Sequence, residues 1–192
     1  VVCGAYALNI PIGDIVTGLK AFYNDQQNNP GRFNIYSVGS FRVLVDYGHN
    51  PAGYRAVGEA LSGMGAERLV GIIGVPGDRL TRDMIEVGGI CAGIFDKVYI
   101  KEDKDLRGRE PGETAGYLLE GLMREGFPRE NVEIEYDETK ALWKAMKTAR
   151  PGDLIAIFYE DLQPVLDTIE RASALMQAKP KQRGVLQKSA GK

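Results

Sequence analysis

The only histidine of the chain stands where an apolar run ends and a helix is predicted to begin. From Asp46 onward the sequence reads DYGHNP. Asn50 can cap the helix, Pro51 suits its first turn, and Gly48 lets the backbone turn tightly. Function in open α/β sheets collects beyond the carboxyl ends of strands. His49 beside Asp46 could contact a nucleotide or orient a reacting group, and the alternative is a hydrogen-bonded structural histidine.

The loops that follow the later apolar runs are rich in charged side chains. Parallel strands deliver such loops to one edge of a sheet. Arginine binds phosphate or carboxylate with paired hydrogen bonds, and carboxylates bind ammonium or guanidinium groups. The rim therefore suits an anionic ligand beside a zwitterionic one, and the alternative is a solvated loop surface. The charged side chains of these loops are Asp78, Arg79, Glu102, Asp103, Lys104, Asp105, Arg107, Arg109, Glu110, Glu113, Glu160 and Asp161.

The chain lacks the short motifs that bind nucleotides or metals by themselves. It has no Gly-x-x-x-x-Gly-Lys-Ser/Thr and no Gly-x-Gly-x-x-Gly at a first strand–helix turn, so it cannot cradle a triphosphate as a P-loop does. The glycine pairs at 71/74 and 88/89 lie inside predicted elements, where glycine favours close packing. Since there is no His-Glu-x-x-His and no paired-cysteine spacing, we expect no metal site from this chain alone.

Composition and charge are those of an ordinary globular protein. With 192 residues and 44% hydrophobic content, the chain can build one sizeable core, or one core plus a short appended piece. Lys and Arg total 24 against 26 Asp and Glu, and the net charge of -2 gives no reason to expect nucleic acid or an anionic membrane as a partner.

Cysteine usage and the lack of targeting segments favour a cytoplasmic protein. Cys3 and Cys91 lie far apart in apolar helical patterns, so we predict buried free thiols rather than a disulfide. No apolar run could span a bilayer, and none has the flanks of a signal peptide. Because the chain starts at Val1 rather than Met, we expect a fragment of a longer protein.

Three regions are predicted along the chain. Residues 1–28 carry two short helices, broken at Ile10-Pro11, and end in a linker rich in Asn, Pro and Gly. Residues 29–176 form the folded domain. Residues 177–192 are basic and lack apolar periodicity, which predicts a disordered tail.

The pattern within the domain predicts a doubly wound, Rossmann-like α/β fold. Strands at 33–38 and 41–46 flank Gly39-Ser40, the signature of an antiparallel hairpin. Short apolar strands then alternate with helices, which favours a mainly parallel sheet covered on both faces. Trp143 has the helical spacing of a core residue. The further strands are predicted at 68–75, 97–101, 132–136 and 154–159, and the helices at 51–64, 81–94, 112–125, 138–149 and 162–174.

Several motifs together resemble the C-terminal domain of the Mur ligases. They are Pro30-Gly31-Arg32 before the hairpin, DYGHNP after it, and Gly77-Asp78-Arg79 after the next strand. Within that superfamily, Asp-Leu-Arg-Gly-Arg at 105–109 and Pro-Gly-Glu at 111–113 are most similar to the Mur-like region of cyanophycin synthetases. The resemblance extends to about residue 174. It implies that residues 1–28 are the terminal helices of a preceding central ATPase domain.

The resemblance implies an ATP-dependent acid–amino-acid ligase. Members of the family join an amino acid to a carboxylate through an acyl-phosphate, with ATP and Mg²⁺ held mainly by the central domain. Cyanophycin synthetases are similar in this, and they add arginine to aspartate side-chain carboxylates. We therefore expect ATP and an amino acid, arginine, as ligands, and the central ATPase domain as a partner. We also expect a homo-oligomer for the full-length protein and no activity for the fragment alone.

The same resemblance implies four nucleotide-contacting residues. Arg32 matches a position near phosphate or base, and Asp46 matches a position on the ribose hydroxyls. His49 and Asn50 match adjoining positions that line the nucleotide. The chemistry agrees, because a carboxylate accepts from hydroxyls and a guanidinium pairs with phosphate. His49 is the one catalytic candidate, in an orienting role, and the alternative for Arg32 is that it caps a loop.

On the amino-acid side, Arg79 matches the position that approaches the substrate carboxylate. The loop at 103–109 replaces the Asp-Asn-Pro-Arg motif of diaminopimelate-adding relatives, which argues against diaminopimelate as the substrate. A guanidinium would need carboxylates, and the sequence does not rank Asp103, Asp105, Glu113, Glu160 and Asp161. The predicted substrate-binding residues are Arg79, Asp103, Arg107, Arg109, Glu113 and Glu160.

Two other functions stay open. One is the C-terminal domain of a different Mur-type ligase that acts on a peptidoglycan precursor. The other is a non-catalytic module that binds a nucleotide or a protein partner. The plainest interpretation is a doubly wound domain whose charged loops are merely solvated.

Overall fold

The computed structural model describes residues 1–177, which form an α/β fold. The predicted tail lies outside the described residues, apart from Gln177, which ends the last helix. The strands are β1 Asn34–Val38, β2 Phe41–Asp46, β3 Arg68–Ile73, β4 Lys97–Ile100, β5 Val132–Ile134 and β6 Asp153–Phe158. The helices are α1 Val2–Ala7, α2 Ile12–Ala21, α3 Pro51–Ser62, α4 Thr81–Ala92, α5 Glu113–Arg124, α6 Glu138–Lys147 and α7 Leu162–Gln177, and a 3-10 helix lies at Arg129–Asn131.

Each helix and strand predicted between residues 29 and 177 is present, and their ends differ by at most three residues. Helices α3 and α4 stop before their predicted ends because Gly63 and Gly93 follow them. Glycine is a poor helix former, so a pattern that continues past it overestimates the helix.

The sheet has the order β1-β2-β6-β3-β4-β5. Strand β1 is antiparallel to β2, and the other neighbouring strands run parallel. The predicted hairpin and mainly parallel sheet are thus confirmed. The last strand, β6, inserts between β2 and β3, and this places the loops after β2, β6 and β3 side by side at one edge.

Helices cover both faces of the sheet. One core joins α3, α4 and α5 to one face, and the other joins α6 and α7 to the opposite face. All six residues of β6 are buried, as expected for a strand between two helical layers. Trp143 is half-buried against the second core, and the Arg171 guanidinium lies 5.5 Å from its ring.

The α4–α5 contact depends on two glycines. A Cβ added at Gly88 would overlap the carbonyl of Leu118, and one added at Gly121 would overlap the carbonyl of Ile85. The backbones of the two helices therefore approach each other directly. This confirms the packing role predicted for Gly88.

We expect Gly88→Ala to lower the free energy of unfolding by about 1–3 kcal/mol, because the added methyl group forces two helices apart. Urea unfolding followed by circular dichroism measures the change. Gly116→Ala is the matched control, because nothing lies within 4 Å of its added Cβ on the exposed side of α5. There the gain in helix propensity of up to ~1 kcal/mol should make the protein equally or more stable. Equal effects of the two changes would contradict this account of the helix contact.

The two N-terminal helices have little buried surface. Ile15 is the one buried residue that α1 and α2 contribute among the described residues, so neither helix packs extensively against another layer. Cys3 on α1 is consequently exposed, so the prediction that it is buried was wrong, whereas Cys91 is buried in the core as predicted. Both thiols are free. Among residues 1–177, no helix combines the length and apolar character needed to cross a bilayer.

Candidate functional site

Asp46 ends β2 and lies half-buried at the carboxyl edge of the sheet. Its Oδ2 accepts a hydrogen bond from the Phe33 amide at 2.9 Å, which ties β2 to the start of β1. Burial raises the pKa of Asp46, while the amides of Phe33 and Gly48 and the charge of Arg32 act in the opposite direction. The carboxylate keeps acceptor positions beyond the one that Phe33 uses.

His49 is held in the turn after Asp46. Its Nδ1 lies 3.0 Å from the carbonyl oxygen of Tyr47, and its ring lies 5.2 Å from the Tyr47 ring. A carbonyl oxygen only accepts, so Nδ1 carries a proton, and Nε2 of the neutral ring is an acceptor. Asn50 caps α3 as predicted, because its Oδ1 accepts from the Gly53 amide at 2.9 Å. The side chain of Asn50 thus serves the helix start.

Arg32 lies over the same turn. Its guanidinium carbon is 4.7 Å from the centre of the Tyr47 ring, and Tyr47 in turn lies 5.3 Å from Tyr159 in the loop after β6. Gly31 allows the Tyr159 ring to lie against the backbone before Arg32, since a Cβ at Gly31 would overlap the Tyr159 phenol. Arg32, Asp46, Tyr47 and His49 therefore form one patch, called here the β2 patch.

Arg109 joins the loops after β3 and β4. Its Nε donates to the carbonyl of Gly77 at 3.0 Å, and its Nη2 donates to the carbonyl of Arg79 at 3.1 Å. Its Nη1 donates to Glu113 at 2.6 Å, and its guanidinium lies 5.5 Å from the Tyr117 ring. The side chains of Arg109 and Glu113 thus brace these loops against each other.

Arg79 and Arg107 lie on the outer side of that brace. Arg107 forms an exposed ion pair with Asp78 at 2.9 Å, and its hydrogen bond holds the pKa of Asp78 below the usual value. The Arg79 side chain is 37% exposed, and its Nε lies 3.8 Å from Asp78. That buried Nε has no hydrogen-bond partner among the described residues. Arg79 therefore has unused donor capacity at the rim.

Two buried charged residues, Lys101 and Glu138, were not predicted. Lys101 follows β4 and is 1% exposed, and its Nζ lies 2.7 Å from Asp103 and 2.9 Å from Glu138. Burial acts to lower the pKa of Lys101, but the two carboxylates outweigh it and raise the pKa overall. The charged residue placed directly after an apolar strand was the one sequence signal that could have identified this cluster.

Two further carboxylates organise the loops. Glu102 accepts from Thr114 at 2.6 Å and from the amides of Gly112 and Ala115 at 2.8 and 3.0 Å, so it holds the start of α5. Glu160, in the loop after β6, accepts from the Lys104 amide at 2.8 Å through one oxygen. The other oxygen of the half-buried Glu160 makes no hydrogen bond to a described residue.

The predicted site residues thus occupy one edge in two groups. Arg32, Asp46, His49 and Asn50 surround the end of β2, while the others follow β3, β4 and β6. The predicted substrate residues are not equivalent, because Asp103 pairs with Lys101 and Glu113 pairs with Arg109. Within residues 1–177, no group of three His, Cys, Asp or Glu side chains is arranged to hold a metal ion.

Comparison with known proteins identifies the family. Residues 31–158, which include the β2 patch, the loops after β3 and β4 and the whole of β6, match the model described as "Mur ligase, glutamate ligase domain". The chain belongs to the Mur ligase C-terminal domain family. This Mur ligase domain is 39% identical over 166 residues to a cyanophycin synthetase of Synechocystis sp., and the match covers 86% of the chain. The chain spans only 19% of the length of that relative.

The Mur ligase domain is also similar to enzymes named for diaminopimelate addition. It is 29% identical over 141 residues to the UDP-N-acetylmuramoyl-L-alanyl-D-glutamate–2,6-diaminopimelate ligase of Aquifex aeolicus, with coverage of 72% of the chain and 28% of that enzyme. A solved structure of a ligase of the same name aligns with a TM-score of 0.66 and 15% identity, and covers 92% of the chain and 37% of that structure. The structural likeness supports the fold.

Proposed function

We propose that this Mur ligase domain positions the amino acid and contacts the nucleotide in an ATP-dependent amide ligase of the cyanophycin synthetase type. One observation carries the proposal: a patch suited to a nucleotide and the partly exposed guanidinium of Arg79, whose Nε has no hydrogen-bond partner among the described residues, share one sheet edge. The 39% identity to a cyanophycin synthetase supports arginine addition to aspartate side-chain carboxylates. We further propose a cytoplasmic, homo-oligomeric full-length enzyme.

Residues 1–28 are proposed to be the end of a preceding ATPase domain. Their exposed apolar side chains support this, because apolar surface of that extent is normally covered. These side chains are Val2, Tyr6, Leu8, Ile10, Ile12, Val16, Leu19, Phe22 and Tyr23. On this proposal the preceding domain supplies the phosphate loop and the magnesium site, and residues 29–176 form the C-terminal ligase domain.

The chemistry proposed for the enzyme has two steps. An acceptor carboxylate oxygen first bonds to the γ-phosphorus of ATP, and the bond from that phosphorus to the bridging oxygen breaks, which releases ADP. The α-amine of the incoming amino acid then bonds to the acyl carbon, the carbon–oxygen bond to phosphate breaks, and the amine loses a proton. Positioning and electrostatic stabilisation account for most of the acceleration in such reactions.

The β2 patch fits the nucleotide side of this reaction. The exposed Arg32 guanidinium suits phosphate, and the remaining lone pairs of Asp46 suit ribose hydroxyls. His49 belongs to the same patch and is proposed to orient the nucleotide or a reacting group through Nε2, because Nδ1 contacts the Tyr47 carbonyl. Asn50 is proposed to line the nucleotide, although its side-chain oxygen already caps α3.

The second group of residues fits the amino acid. The partly exposed guanidinium of Arg79, with its unpaired Nε, suits the carboxylate of the amino acid. Among the carboxylates that could hold a guanidinium, Asp103 and Glu113 are already paired, which favours Glu160, Asp105 and Asp161. Arg107 would have to leave Asp78, and an exposed ion pair of this kind costs little to exchange.

A second candidate function is supported by the relative from Aquifex aeolicus. Its name gives diaminopimelate as the added amino acid, and it matches 72% of the chain. Diaminopimelate carries an ammonium and a carboxylate at its far end, where arginine carries a guanidinium alone. The two candidates therefore differ in the charge that the site must balance at this end.

Turnover of the full-length enzyme that contains this domain tests the proposal. Release of ADP and phosphate is measured with ATP, Mg²⁺ and an aspartate-rich acceptor peptide, with arginine, lysine, aspartate and diaminopimelate compared in turn. We expect arginine to give the highest kcat/KM and residues 1–192 alone to give no turnover. Faster reaction with diaminopimelate on a peptidoglycan precursor would favour the second candidate. Nucleotide binding without turnover of any amino acid would favour a non-catalytic module.

A further inference from the structure

Lys101 is a buried ammonium with two anionic partners. It stands directly after β4, its side chain is 1% exposed, and Asp103 and Glu138 lie 2.7 and 2.9 Å from its Nζ. A buried charge is costly unless it is paired and hydrogen-bonded. The side-chain stem of Lys101 passes over Gly74, where an added Cβ would lie 2.5 Å from Lys101 Cε. The fold therefore reserves space for this lysine at the edge that carries the site.

Glu138 connects this lysine to a different loop. It is 7% exposed at the start of α6, and its Oε2 accepts both from Lys101 and, at 2.6 Å, from the backbone amide of Glu160. Its Oε1 lies 3.3 Å from the amide of Asp161, which donates to it. One buried carboxylate thus receives two successive amides of the loop after β6, those of Glu160 and Asp161.

The loop after β6 is also joined to the loop after β4. The Glu160 carboxylate accepts from the Lys104 amide at 2.8 Å, and Lys104 follows Asp103, which pairs with Lys101. The contacts form a closed circuit from Lys101 through Glu138 and Glu160 back to the β4 loop. A shift of either loop would have to break a charged hydrogen bond inside the protein.

We propose that Lys101 and Glu138 are positioning residues, which hold the loop after β6 against the loop after β4 and thereby shape the amino-acid side of the ligase site. This proposal rests on the proposed ligase function. It assigns no substrate contact to either residue, because both side chains are buried. Their effect passes through the backbone of Glu160 and Asp161.

The expected effect is selective. A displacement of about 1 Å in a positioning group can cost up to 10²-fold in rate. The β2 patch touches the β6 loop at Tyr159, whose amide donates to the Asp46 carbonyl and not to Glu138, and Asp46 and Asn50 hold the patch through further contacts of their own. Weakening Glu138 should therefore raise the KM for the amino acid and leave the KM for ATP largely unchanged.

Glu138→Gln is the main test, because it preserves size and leaves Lys101 paired with Asp103. Its amide nitrogen cannot accept, so one of the loop amides loses its partner. In the 192-residue chain, we expect hydrogen exchange at Glu160 or Asp161 to accelerate roughly tenfold or more. In the full-length enzyme, we expect the KM for the amino acid to rise about 10- to 100-fold. Lys101→Met should act in the same direction.

Arg68→Met is the matched control. Arg68 and the buried Asp153 form an ion pair of 2.5 Å at the amino ends of β3 and β6, the opposite edge of the same sheet. This change also leaves a buried carboxylate unpaired, so it tests for a general loss of stability. We expect it to lower stability without a selective change at Glu160 and Asp161 and without a shift in the ratio of the two KM values.

Three results would overturn the proposal. One is unchanged exchange at both loop amides in Glu138→Gln. Another is faster exchange with an unaltered ratio of the two KM values in an active enzyme, which would make the network merely structural. The third is the same kinetic signature in Arg68→Met. If the wild-type enzyme ligates no amino acid, the proposed function fails first, and the exchange experiment still reports whether Glu138 anchors the loop.

Discussion

Arg79→Ala in the full-length enzyme is expected to raise the KM for the incoming amino acid by about 10- to 100-fold, with a smaller effect on the KM for ATP. Arg79 is the arginine of the rim whose buried Nε has no hydrogen-bond partner among the described residues. A hydrogen bond between charged groups contributes about 1.5–3 kcal/mol, which corresponds to this range. Steady-state kinetics with the amino acid varied at saturating ATP measures the change.

Arg82→Ala is the control for loss of a positive charge nearby. Its side chain is 81% exposed at the start of α4, and its ion pair with Asp83 joins neighbouring residues in the sequence. Charges in that setting contribute little to stability or binding. We expect normal kinetics from this variant. Equal KM values in Arg79→Ala and Arg82→Ala would exclude Arg79 from the substrate site.

Asp46→Asn is expected to raise the KM for ATP about tenfold and to leave the KM for the amino acid nearly unchanged. The amide oxygen of Asn can still accept from the Phe33 amide, so the join between β1 and β2 persists. The substitution removes the negative charge that would accept hydrogen bonds from the ribose hydroxyls. Hydrogen bonds to a charged acceptor are stronger than those to a neutral one, so the nucleotide should bind more weakly. Kinetics with ATP varied at saturating amino acid measures this change.

The same residue predicts a dependence on pH. Burial raises the pKa of Asp46, so the carboxylate becomes protonated at a higher pH than an exposed aspartate does. As the pH falls through this raised pKa, the wild-type KM for ATP should therefore increase. Asp46→Asn should lack this part of the pH dependence, since its side chain does not titrate.

Asp96→Asn is the control for Asp46→Asn. The Asp96 carboxylate also accepts a backbone hydrogen bond, from Leu69 at 2.8 Å, but it lies before β4 at the opposite edge of the sheet. We expect an ATP KM like that of the wild type. A normal KM for ATP in Asp46→Asn would remove Asp46 from the proposed nucleotide contacts and leave it as a join between two strands.

The local sequence was sufficient to predict the helices and strands of the domain and the edge of the sheet that carries the proposed site. Asn50 and Pro51 begin α3 as their residue types predict, and Gly39-Ser40 makes the hairpin. These features depend on contacts within a few residues, so they can be seen in the chain itself. The exposure of Cys3 was missed because burial depends on whether α1 packs against another layer.

The residues available for binding could not be distinguished in the same way. The sequence does not distinguish Arg79, Arg107 and Arg109. In the structure, Arg109 donates hydrogen bonds to Gly77, Arg79 and Glu113, whereas the Nε of Arg79 has no hydrogen-bond partner among the described residues. Those partners lie up to 32 residues away along the chain. Which arginine is free is therefore a property of the folded loops.

By itself, the sequence determined the α/β class, the hairpin followed by parallel strands, and the presence of Asp46 and His49 at the end of β2. Apolar periodicity and turn chemistry are local, and they act before the chain is packed. Only the tertiary structure decided that β6 inserts between β2 and β3. It also decided that Glu138, paired with the buried Lys101, accepts a hydrogen bond from the loop after β6. Both depend on contacts between residues that are far apart in the chain. Such contacts form only when the helices pack on the two faces of the sheet.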